Sequence, residues 1–298
     1  MNSGIGVLLV LTGALIVGCA REPQSFTVVS FNIRHADMDE DGDEFAWDQR
    51  REWVIETIDR EDPDLLGLQE AAAEQREDLA ERLGLECVGC EPEIENHNIV
   101  LYDGDTFLPV DFGVFWLSDT PDIRNSTSWG NSMPRSATWV RLKPRLGGTT
   151  TAQFAVYNTH LDHESGEARR RGLELILSHA AETAGDIPVL LMGDFNAFPN
   201  SPELDLLRSR TTDRFPHLPL RDVLDVGSRD YTDEGTFHEF SGEPEIPRID
   251  YILISEGLVL DDAEVLTTDT SNGTPPSDHF PVRASILAGR SSQPEASP

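Results

Sequence analysis

A strand-like apolar run at residues 189–192 ends in Gly193 and is followed by two polar residues spaced two apart, Asp194 and Asn196. The length and composition of the run predict a buried strand, and the glycine predicts its end. Alternate residues of an extended chain share a face, so the two polar side chains should point into one pocket. There a carboxylate can take a proton from water, and an amide can donate to a phosphoryl oxygen. An Asp-x-Asn sequence is also a common turn former, so this assignment depends on the rest of the chain.

The remaining segments alternate between helix-like and strand-like patterns. With 298 residues and 38% hydrophobic content, the chain can bury a sizeable core in one large domain or two small ones. Helices are predicted at residues 48–60, 73–83 and 165–183, with a short one at 199–207, and Asp48 is expected to cap the first. Apolar and β-branched runs predict strands at 26–31, 65–69, 99–102, 108–116, 137–142, 152–157, 189–192, 247–254, 259–266 and 281–287.

Polar residues that suit phosphate chemistry recur at the ends of these strands. Each lies at or just beyond the C-terminal end of a predicted strand, or in a loop beside one. Strand ends that share one edge of a sheet converge on one cleft, so we expect these side chains to form a single site. Each residue alone could be a cap or a turn former, but eight coincidences favour a site. They are Asn32, Glu70, His160, Asp194, Asn196, Asp250, Asp278 and His279.

The N-terminus has the pattern of an export signal. An apolar segment at residues 7–17 is too short for a comfortable membrane span, and the sequence Ile-Val-Gly-Cys closes it at Cys19. It resembles a bacterial lipoprotein signal, which implies cleavage before Cys19, a lipid anchor on its sulfur, and a periplasmic or cell-surface location. No Lys or Arg precedes Cys19, so simple secretion and a retained anchor are alternatives. The predicted segments are a signal at 1–19, a tether at 20–25 and a disordered tail at 289–298.

The chain is strongly acidic. Asp and Glu number 54 against 23 Lys and Arg, which gives a formal net charge of −31, and Lys143 is the sole lysine. A molecule this negative should not hold a nucleic-acid backbone non-specifically at ordinary ionic strength. Its surface resembles that of proteins from very salty environments, where repulsion is screened within about 3 Å at 1 M salt. The composition therefore argues against tight duplex binding, and nothing in the sequence predicts a protein partner.

Two local patterns leave alternatives open. Cys87 and Cys90 could form a local disulfide in an exported protein or remain free thiols, whereas a zinc site would need a second cysteine pair. The acidic residues from Asp37 to Asp48 have a spacing that matches the start of a calcium loop. A strand precedes this loop, and its twelfth residue is not Glu. A solvated acidic loop at a pocket rim is therefore favoured over calcium.

Six short motifs carry a resemblance to a known family. In chain order they are Ser30-Phe-Asn-Ile33, Leu68-Gln-Glu70, Asn158-Thr-His-Leu161, Gly193-Asp-Phe-Asn196, Arg248-Ile-Asp-Tyr251 and Ser277-Asp-His-Phe-Pro281. Together they resemble the endonuclease/exonuclease/phosphatase superfamily, which has the DNase I-like fold. The resemblance implies an α/β (α+β) domain over residues 26–288, built as a four-layer α/β/β/α sandwich of two mixed sheets. Residues 115–118 and 134–139 are similar to a bacterial branch whose substrates are poorly defined.

The chemistry of that family, carried over by motif, implies a metal-dependent phosphoesterase. Glu70 is expected to bind a divalent cation, most simply Mg²⁺ with Mn²⁺ as an alternative. Asn32 and Asp278 would complete or adjust the metal and phosphate site. Asp194 would orient or deprotonate the attacking water, and Asn196 would hold a non-bridging phosphate oxygen. The metal would neutralise the charge that develops in the transition state.

The same resemblance implies two histidines at the phosphate. His279, paired with Asp250, and His160 would be cationic or donating groups, and one of them would assist the leaving oxygen. A carboxylate partner raises the pKa of an imidazole and fixes its orientation. For this reason the pair of His279 and Asp250 is favoured as the acid, although the sequence does not decide between the two histidines.

The residues alone suggest contacts to the rest of a substrate. Arg135 could clamp a second phosphate or a terminal monoester, or it could form a surface ion pair. Trp116, together with Trp129 and Phe237, could form a stacking wall for a base or sugar, or pack in the core.

The substrate class stays open on the sequence. Nucleic acid, a nucleotide or sugar phosphate, and a phospholipid head group are all phosphate esters. An exported nuclease and a small phosphatase are favoured about equally, while lipid cleavage of the sphingomyelinase type lacks an apolar membrane-inserting hairpin. Residues 159–163 resemble part of a metallo-β-lactamase zinc motif, but Asn158 replaces its first His. A non-catalytic surface-binding lipoprotein on the same scaffold is the remaining alternative, and the intact site residues argue against it.

Overall fold

Two β-sheets form the centre of the molecule. The computed structural model describes residues 25–39, 43–145, 153–208, 218–225, 235–267 and 275–288. The elements in these ranges, in chain order, are β1 (Ser25–Asn32), α1 (Trp47–Glu61), β2 (Leu65–Gln69), α2 (Ala73–Leu83), β3 (Glu86–Val88), β4 (Ile99–Tyr102), β5 (Phe107–Trp116), β6 (Ser136–Pro144), β7 (Phe154–His160), α3 (Gly166–Ala184), β8 (Val189–Asp194), α4 (Pro202–Arg208), β9 (Arg221–Asp222), β10 (Asp250–Ile254), β11 (Leu258–Val265) and β12 (Val282–Ala288).

Each sheet has six strands and mixes parallel with antiparallel pairs. The first sheet has the order β11-β12-β1-β2-β4-β3, and the second has the order β5-β6-β7-β8-β10-β9. The parallel pairs are β1 with β2 and β7 with β8, and both lie in the middle of their sheets. Because parallel strands end at the same edge, each sheet brings two C-terminal strand ends together.

The two sheets pack face to face through an apolar core. Gly67 of β2 lies opposite Met192 of β8, and a Cβ on Gly67 would lie only 2.6 Å from the Met192 Cε. A side chain at Gly67 would therefore push the two sheets apart. Residues from both sheets fill the space between them, among them Val28, Leu65, Val156, Ile252 and Val282.

Helices cover the outer face of each sheet. α1 packs on the first sheet through Val54 and Ile58, and α2 adds Leu79 to the same cluster. α3 packs on the second sheet through Leu173 and Leu177. These apolar residues recur at helical spacing, which places them on one face of each helix. The result confirms the predicted four-layer α/β/β/α sandwich of two mixed sheets.

The structure corrects the N-cap of the first helix. α1 begins at Trp47, with Ala46 at the N-cap position, and Asp48 lies in the first turn. The backbone N–H of Trp47 instead donates to Asp39 Oδ2 at 2.6 Å. Asp48 is still well placed there, because a negative charge in the first turn favours the helix dipole. Asp39 lies in an earlier loop, eight residues before Trp47, so the local sequence around the helix start did not predict this contact.

The predicted strands are present, with ends that shift by no more than three residues. β1 begins at Ser25, so the predicted tether ends one residue earlier than expected. β3 and β9 were not predicted, because segments of three and two residues show no alternation.

The structure shows the geometry of the cysteine pair and of the described part of the acidic loop, which the sequence left open. Cys87 and Cys90 are joined by a disulfide. In the acidic loop, the Arg34 guanidinium binds Asp39 at 2.9 Å and Asp43 at 3.1 Å. These carboxylates are thus neutralised by a side chain of the protein, which favours the acidic-loop alternative over calcium. Residues 40–42 of this loop lie outside the described residues.

The predictions for the two termini lie outside the described residues. They concern the signal at 1–19 with its anchor at Cys19, most of the tether, and the tail at 289–298. Among the helices that the structure describes, none has the length and apolar character needed to cross a membrane.

Candidate active site

Strand register brings the predicted site residues to one edge of the sandwich. In the second sheet, His160 of β7 lies opposite Asp194 of β8, and Asp194 lies opposite Asp250 of β10. In the first sheet, Asn32 ends β1, and Glu70 directly follows its parallel neighbour β2. A hydrogen bond within the first sheet and one between the two sheets join these strand ends at a single site.

Asn32 connects the two sheets at this site. Its Nδ2 donates to Glu70 Oε1 at 3.0 Å and to Asp194 Oδ2 at 3.1 Å, although Asn32 and Asp194 are 162 positions apart. Its Oδ1 accepts the backbone N–H of Arg34 at 3.1 Å. An amide suits this place because it donates to two carboxylates without adding a charge. Asn32 therefore sets the distance between Glu70 and Asp194.

Gly193 allows Asp194 to reach the site. The glycine has a φ of +141°, and a Cβ there would lie 1.9 Å from the Thr159 carbonyl oxygen. Any other residue would collide with β7, so only glycine fits. The sequence predicted a strand end at this glycine, but β8 continues through Asp194. The glycine is required by the close approach of β7 rather than by a turn.

Asp194 is a buried carboxyl group with a raised pKa. Burial and the negative charge of Asp250 raise the pKa of Asp194 to about 7. Its Oδ1 accepts the backbone N–H of Asn196 at 2.9 Å. A carboxylate with a pKa near neutrality is a stronger base than an exposed one and still ionises at ordinary pH. Asp194 can therefore take a proton from a water molecule.

His279 forms a buried ion pair with Asp250. Its Nδ1–H donates to Asp250 Oδ2 at 2.9 Å, and its Nε2 lies 3.9 Å from Asp194 Oδ2. Burial disfavours the charged ring, but the charge and the hydrogen bond of Asp250 outweigh it and raise the pKa of His279 to about 10. The pairing predicted from the sequence is present, and it places a positive charge beside Asp194 at neutral pH.

His160 is neutral, which favours a donating role for it over a cationic one. Burial and the positive charge of Arg135 lower the pKa of His160 well below its ordinary value. Its Nε2 accepts from Asn196 Nδ2 at 2.9 Å, and its Nδ1 lies 3.7 Å from Glu70 Oε1. The second amide hydrogen of Asn196 goes to the Leu161 carbonyl at 3.0 Å. His160 and Asn196 thus hold each other in place.

Glu70 and Asp278 are neighbouring carboxylates suited to a cation. Burial raises the pKa of Asp278, and the charge of Glu70 adds to this effect. Burial acts on Glu70 in the same direction, but the hydrogen bond from Asn32 and the charge of His279 outweigh it and lower its pKa. A divalent cation would relieve the repulsion, and carboxylate oxygens are the ligands that Mg²⁺ prefers. The two carboxylates therefore suit a divalent cation, and Asn32 donates its amide hydrogen to Glu70 at this place. The metal site at Glu70, Asn32 and Asp278 stays a prediction.

A second group at the site could also hold a metal. Ligand atoms of Asp194, Asp250 and His279 lie within 4.8 Å of one another. The sequence predicted these residues for catalysis rather than for metal binding. Because the Nδ1 of His279 already binds Asp250, a cation in this group would have to use its Nε2. The site thus offers two places for a divalent cation, and neither donor set fixes the identity of the metal.

Arg135 is buried beside the carboxylates of the site. It is 7% exposed, and its Nη2 donates to His163 Nδ1 at 3.0 Å. Among the described residues, no carboxylate oxygen lies within ion-pair distance of this guanidinium, and its buried Nε has no hydrogen-bond acceptor. Burial lowers the pKa of Arg135, although the charges of Asp194, Asp162 and Glu70 oppose that effect. The sequence alternative of a surface ion pair is therefore wrong.

Asp162 supports this arrangement, and the sequence did not single it out. The residue is 2% exposed and accepts the backbone N–H of Ser132 at 2.9 Å and its hydroxyl at 2.8 Å. It also accepts the backbone N–H of Ser165 at 2.7 Å, just before α3. Asp162 thus ties the loop before Arg135 to the loop after His160. Its position three residues before Ser165, the N-cap of α3, was the available signal.

Phe237 lies beside the ion pair of His279 and Asp250. Its ring centroid lies 5.1 Å from that of His279. Trp116 ends β5 and is 6% exposed, so it has little free surface for stacking. The ring of Trp129 lies 5.8 Å from the Arg171 guanidinium. Substrate contact by Trp116 stays a prediction.

Known proteins are similar to this chain in fold and in sequence. Residues 29–279 match the sequence profile described as Endonuclease/Exonuclease/phosphatase family. A protein of that family from Bacteroides thetaiotaomicron has a similar structure, with a TM-score of 0.79, 30% identity, and coverage of 89% of this chain and 98% of that one. A mannosyl-6-phosphatase from the same organism has a TM-score of 0.76, 29% identity, and coverage of 88% of this chain and 99% of that one.

Curated relatives are more distant. Protein angel of Drosophila melanogaster is 26% identical over 259 residues, which cover 78% of this chain and 68% of that protein. An uncharacterised protein of Acanthamoeba polyphaga mimivirus is 25% identical over 161 residues, which cover 51% of this chain but only 60% of that protein. Because the family profile matches most of the sequence and the structures agree, the chain belongs to the endonuclease/exonuclease/phosphatase family of hydrolases that act on phosphoesters.

Proposed function

We propose that the chain is a Mg²⁺-dependent hydrolase of small phosphate monoesters, with sugar phosphates as the favoured class. Arg135 is the observation that carries this proposal. A buried cation is unfavourable unless an anion or hydrogen-bond acceptor compensates it. Within the part of the chain that the structure describes, however, this guanidinium has a histidine as its partner and a buried Nε without an acceptor. A terminal phosphate monoester supplies both a second negative charge and a third non-bridging oxygen. Arginine matches such a group through paired hydrogen bonds.

A nuclease is the second candidate, and two observations disfavour it. A phosphodiester has one negative charge and two non-bridging oxygens, so it offers less to Arg135. The net charge of −31 also opposes the binding of a nucleic-acid backbone. The similar mannosyl-6-phosphatase, by its name, acts on a sugar phosphate monoester, which supports the same class here.

Glu70 and Asp278 are proposed to hold the cation, with Asn32 orienting the Glu70 carboxylate. The bound cation would supply positive charge to the phosphate and to the leaving oxygen. Carboxylate oxygens suit Mg²⁺, and Mn²⁺ accepts the same ligands.

In the proposed reaction, Asp194 takes a proton from a water molecule. The water oxygen bonds to phosphorus while the bond to the leaving oxygen breaks on the opposite side. Asn196 would donate to a non-bridging oxygen, and for this it must give up one of its two present contacts, to His160 or to Leu161. Its amide adds no negative charge that would repel the phosphate.

His279 is proposed to contact the non-bridging oxygens. The sequence favoured His279 as the donor to the leaving oxygen. However, its Nε2 lies 3.9 Å from Asp194 Oδ2, on the side from which the water attacks. A charged imidazole in this place stabilises the negative charge that develops on the phosphoryl group. Asp250 keeps the ring charged and oriented.

The direct test measures phosphate release and nucleic-acid cleavage by the chain expressed without residues 1–19. The panel contains mannose 6-phosphate, glucose 6-phosphate, p-nitrophenyl phosphate, bis-p-nitrophenyl phosphate, RNA and plasmid DNA, each in high salt with Mg²⁺, Mn²⁺ or EDTA. We expect metal-dependent turnover of the monoesters above that of the diesters. Preferred cleavage of DNA or RNA would establish the nuclease instead. No turnover by a folded, metal-loaded protein would favour the binding scaffold.

Replacing Arg135 should discriminate between the two ester classes. Arg135→Met should lower kcat/KM for phosphate monoesters by about 10- to 100-fold, the size expected for hydrogen bonds to a charged group. The effect on bis-p-nitrophenyl phosphate should be much smaller. The matched control is Arg141→Met, which removes a more exposed arginine of β6, the strand that directly follows Arg135; Arg141 is paired with Asp111. Equal losses for both ester classes would contradict the role of Arg135.

The activity should have a bell-shaped pH profile that Asp250 controls. The acid limb should lie near pH 7, where Asp194 ionises, and the alkaline limb near pH 10, where His279 loses its proton. The charge of Asp250 raises both pKa values, so Asp250→Asn should move both limbs of kcat/KM to lower pH. Asp59→Asn, an exposed change on α1, serves as the control. Limbs that stay in place in Asp250→Asn would rule out this origin.

We further propose that the protein is exported and anchored to a membrane through Cys19. The apolar segment and the Ile-Val-Gly-Cys ending at residues 16–19 support this location. Such an enzyme would meet phosphate esters outside the cytoplasm.

A further inference from the structure

Arg50 makes an unusual set of contacts for a buried cation. It lies in α1, is 0% exposed, and donates to backbone carbonyls. Its Nε reaches Phe45 and its Nη2 reaches Arg34, each at 2.7 Å, while its Nη1 reaches Ile33 and, at 3.4 Å, Pro276. We propose that Arg50 is a positioning residue that holds the two loops of the metal site in register.

The carbonyls bound by Arg50 belong to the loops that carry the metal-site residues. Ile33 directly follows Asn32 at the end of β1, and Pro276 lies two residues before Asp278. One guanidinium therefore contacts both the loop after β1 and the loop before β12. A second tie joins the same loops, because Ser277 Oγ donates to the Asn32 carbonyl at 2.7 Å.

An arginine is suited to this role for a geometric reason. Its planar guanidinium presents five N–H donors in a fixed arrangement, whereas lysine has three donors at one atom. Four carbonyls that accept from one rigid group cannot move independently. Groups that orient metal ligands from behind commonly change metal affinity by about 10- to 100-fold when replaced.

A simpler alternative is that Arg50 acts through its charge alone. A positive charge close to Glu70 and Asp278 repels a cation, so removing it would strengthen metal binding. Loss of the carbonyl contacts would weaken metal binding instead. The two effects have opposite signs. Arg50→Met removes the charge and the contacts together, so the direction in which metal affinity changes shows which effect is larger. Arg50→Lys keeps the charge and loses most of the contacts.

The experiment measures Mn²⁺ and Mg²⁺ binding by calorimetry, at a temperature where circular dichroism shows each variant to be folded. We expect the Kd for Mn²⁺ to rise by about 10- to 100-fold in both Arg50→Met and Arg50→Lys. The Mg²⁺ concentration for half-maximal activity should rise in parallel, while kcat at saturating Mg²⁺ is retained. The matched control is Arg76→Lys. Arg76 is also a buried helical arginine, but its Nη1 donates to the Asn96 carbonyl, outside both metal-site loops. The Arg76→Lys variant should lose stability without a change in metal affinity.

The outcomes separate this inference from the proposed function on which it rests. Wild-type affinity in both folded Arg50 variants, or tighter binding in Arg50→Met, would overturn the positioning role while leaving the metal site intact. If the Arg50 variants do not fold, Ser277→Ala removes the second tie between the same two loops, together with the contact of Ser277 Oγ with Asp278 Oδ1 at 3.1 Å. Unchanged Mn²⁺ affinity in this variant would show that the register of the two loops does not set metal affinity, which also overturns the inference. If the wild-type protein binds neither cation, the proposed metal site itself fails, whatever the substrate.

Discussion

Asp194→Asn is expected to remove nearly all hydrolytic activity. The variant keeps the size of the side chain but cannot accept a proton from water. General base catalysis contributes about 10²- to 10⁴-fold in rate, so kcat should fall by at least about 100-fold. Steady-state kinetics on a phosphate monoester at saturating Mg²⁺ measures the loss. A variant with more than a tenth of the wild-type kcat would show that Asp194 is not the base.

The same substitution is expected to stabilise the metal-free fold. The pKa of Asp194 is about 7 in the folded chain against an ordinary value of 3.8. A raised carboxyl pKa means that the folded state binds the proton more tightly than the unfolded state. Stability is therefore lost as pH rises from about 4 to about 7, and Asn avoids this loss. We expect the free energy of unfolding at pH 8 to increase by roughly 1–3 kcal/mol.

Urea unfolding in EDTA at pH 4 and pH 8 tests this expectation. The gain in unfolding free energy of Asp194→Asn should be present at pH 8 and nearly absent at pH 4. Asp205→Asn, an exposed change on α4, should show neither the gain nor the loss of activity. A variant that is less stable than wild type at pH 8 would contradict the burial of an unfavourable charge. An inactive and more stabilised protein would show that this site is built at a cost in stability.

Arg248→Met is expected to destabilise the fold by about 3–5 kcal/mol, as for other buried ion pairs that lose one partner. Arg248 and Asp222 are both 0% exposed, and Nη2 lies 2.7 Å from Oδ2. This pair links β9 to the start of β10, the strand that carries Asp250. Burial raises the pKa of Asp222, and the charge of Arg248 opposes this effect. Without the arginine, the buried Asp222 carboxylate loses the cation that lies 2.7 Å from it.

Thermal and urea unfolding of three variants would measure this effect. The double variant Arg248→Met with Asp222→Leu should recover most of the stability, because it removes both charges from the core. Arg60→Met removes the exposed partner of Glu56 on α1 and should change the free energy of unfolding by about 0.5 kcal/mol or less. If the double variant is as unstable as the single one, the loss comes from packing rather than from an unpaired charge.

Local sequence pattern was sufficient to locate most strands and the polar residues that follow them. Runs such as 189–192 are apolar because both faces of the strand are buried, and that pattern is visible in the sequence. The shortest strands were missed, since β9 has only two residues. The N-cap of α1 was assigned to Asp48, whereas Asp39 accepts from the first turn.

The sequence by itself determined which residues end the strands, and so which side chains could meet at one edge of the sheets. The tertiary structure alone decided how they meet. The contact of Asn32 with Asp194 and the burial of Arg135 depend on segments far apart in the chain, and so do the carbonyls that Arg50 binds. Local periodicity reports which face of a segment is buried. It carries no information on which distant group lies against that face, and this pairing sets the charges and pKa values of the site.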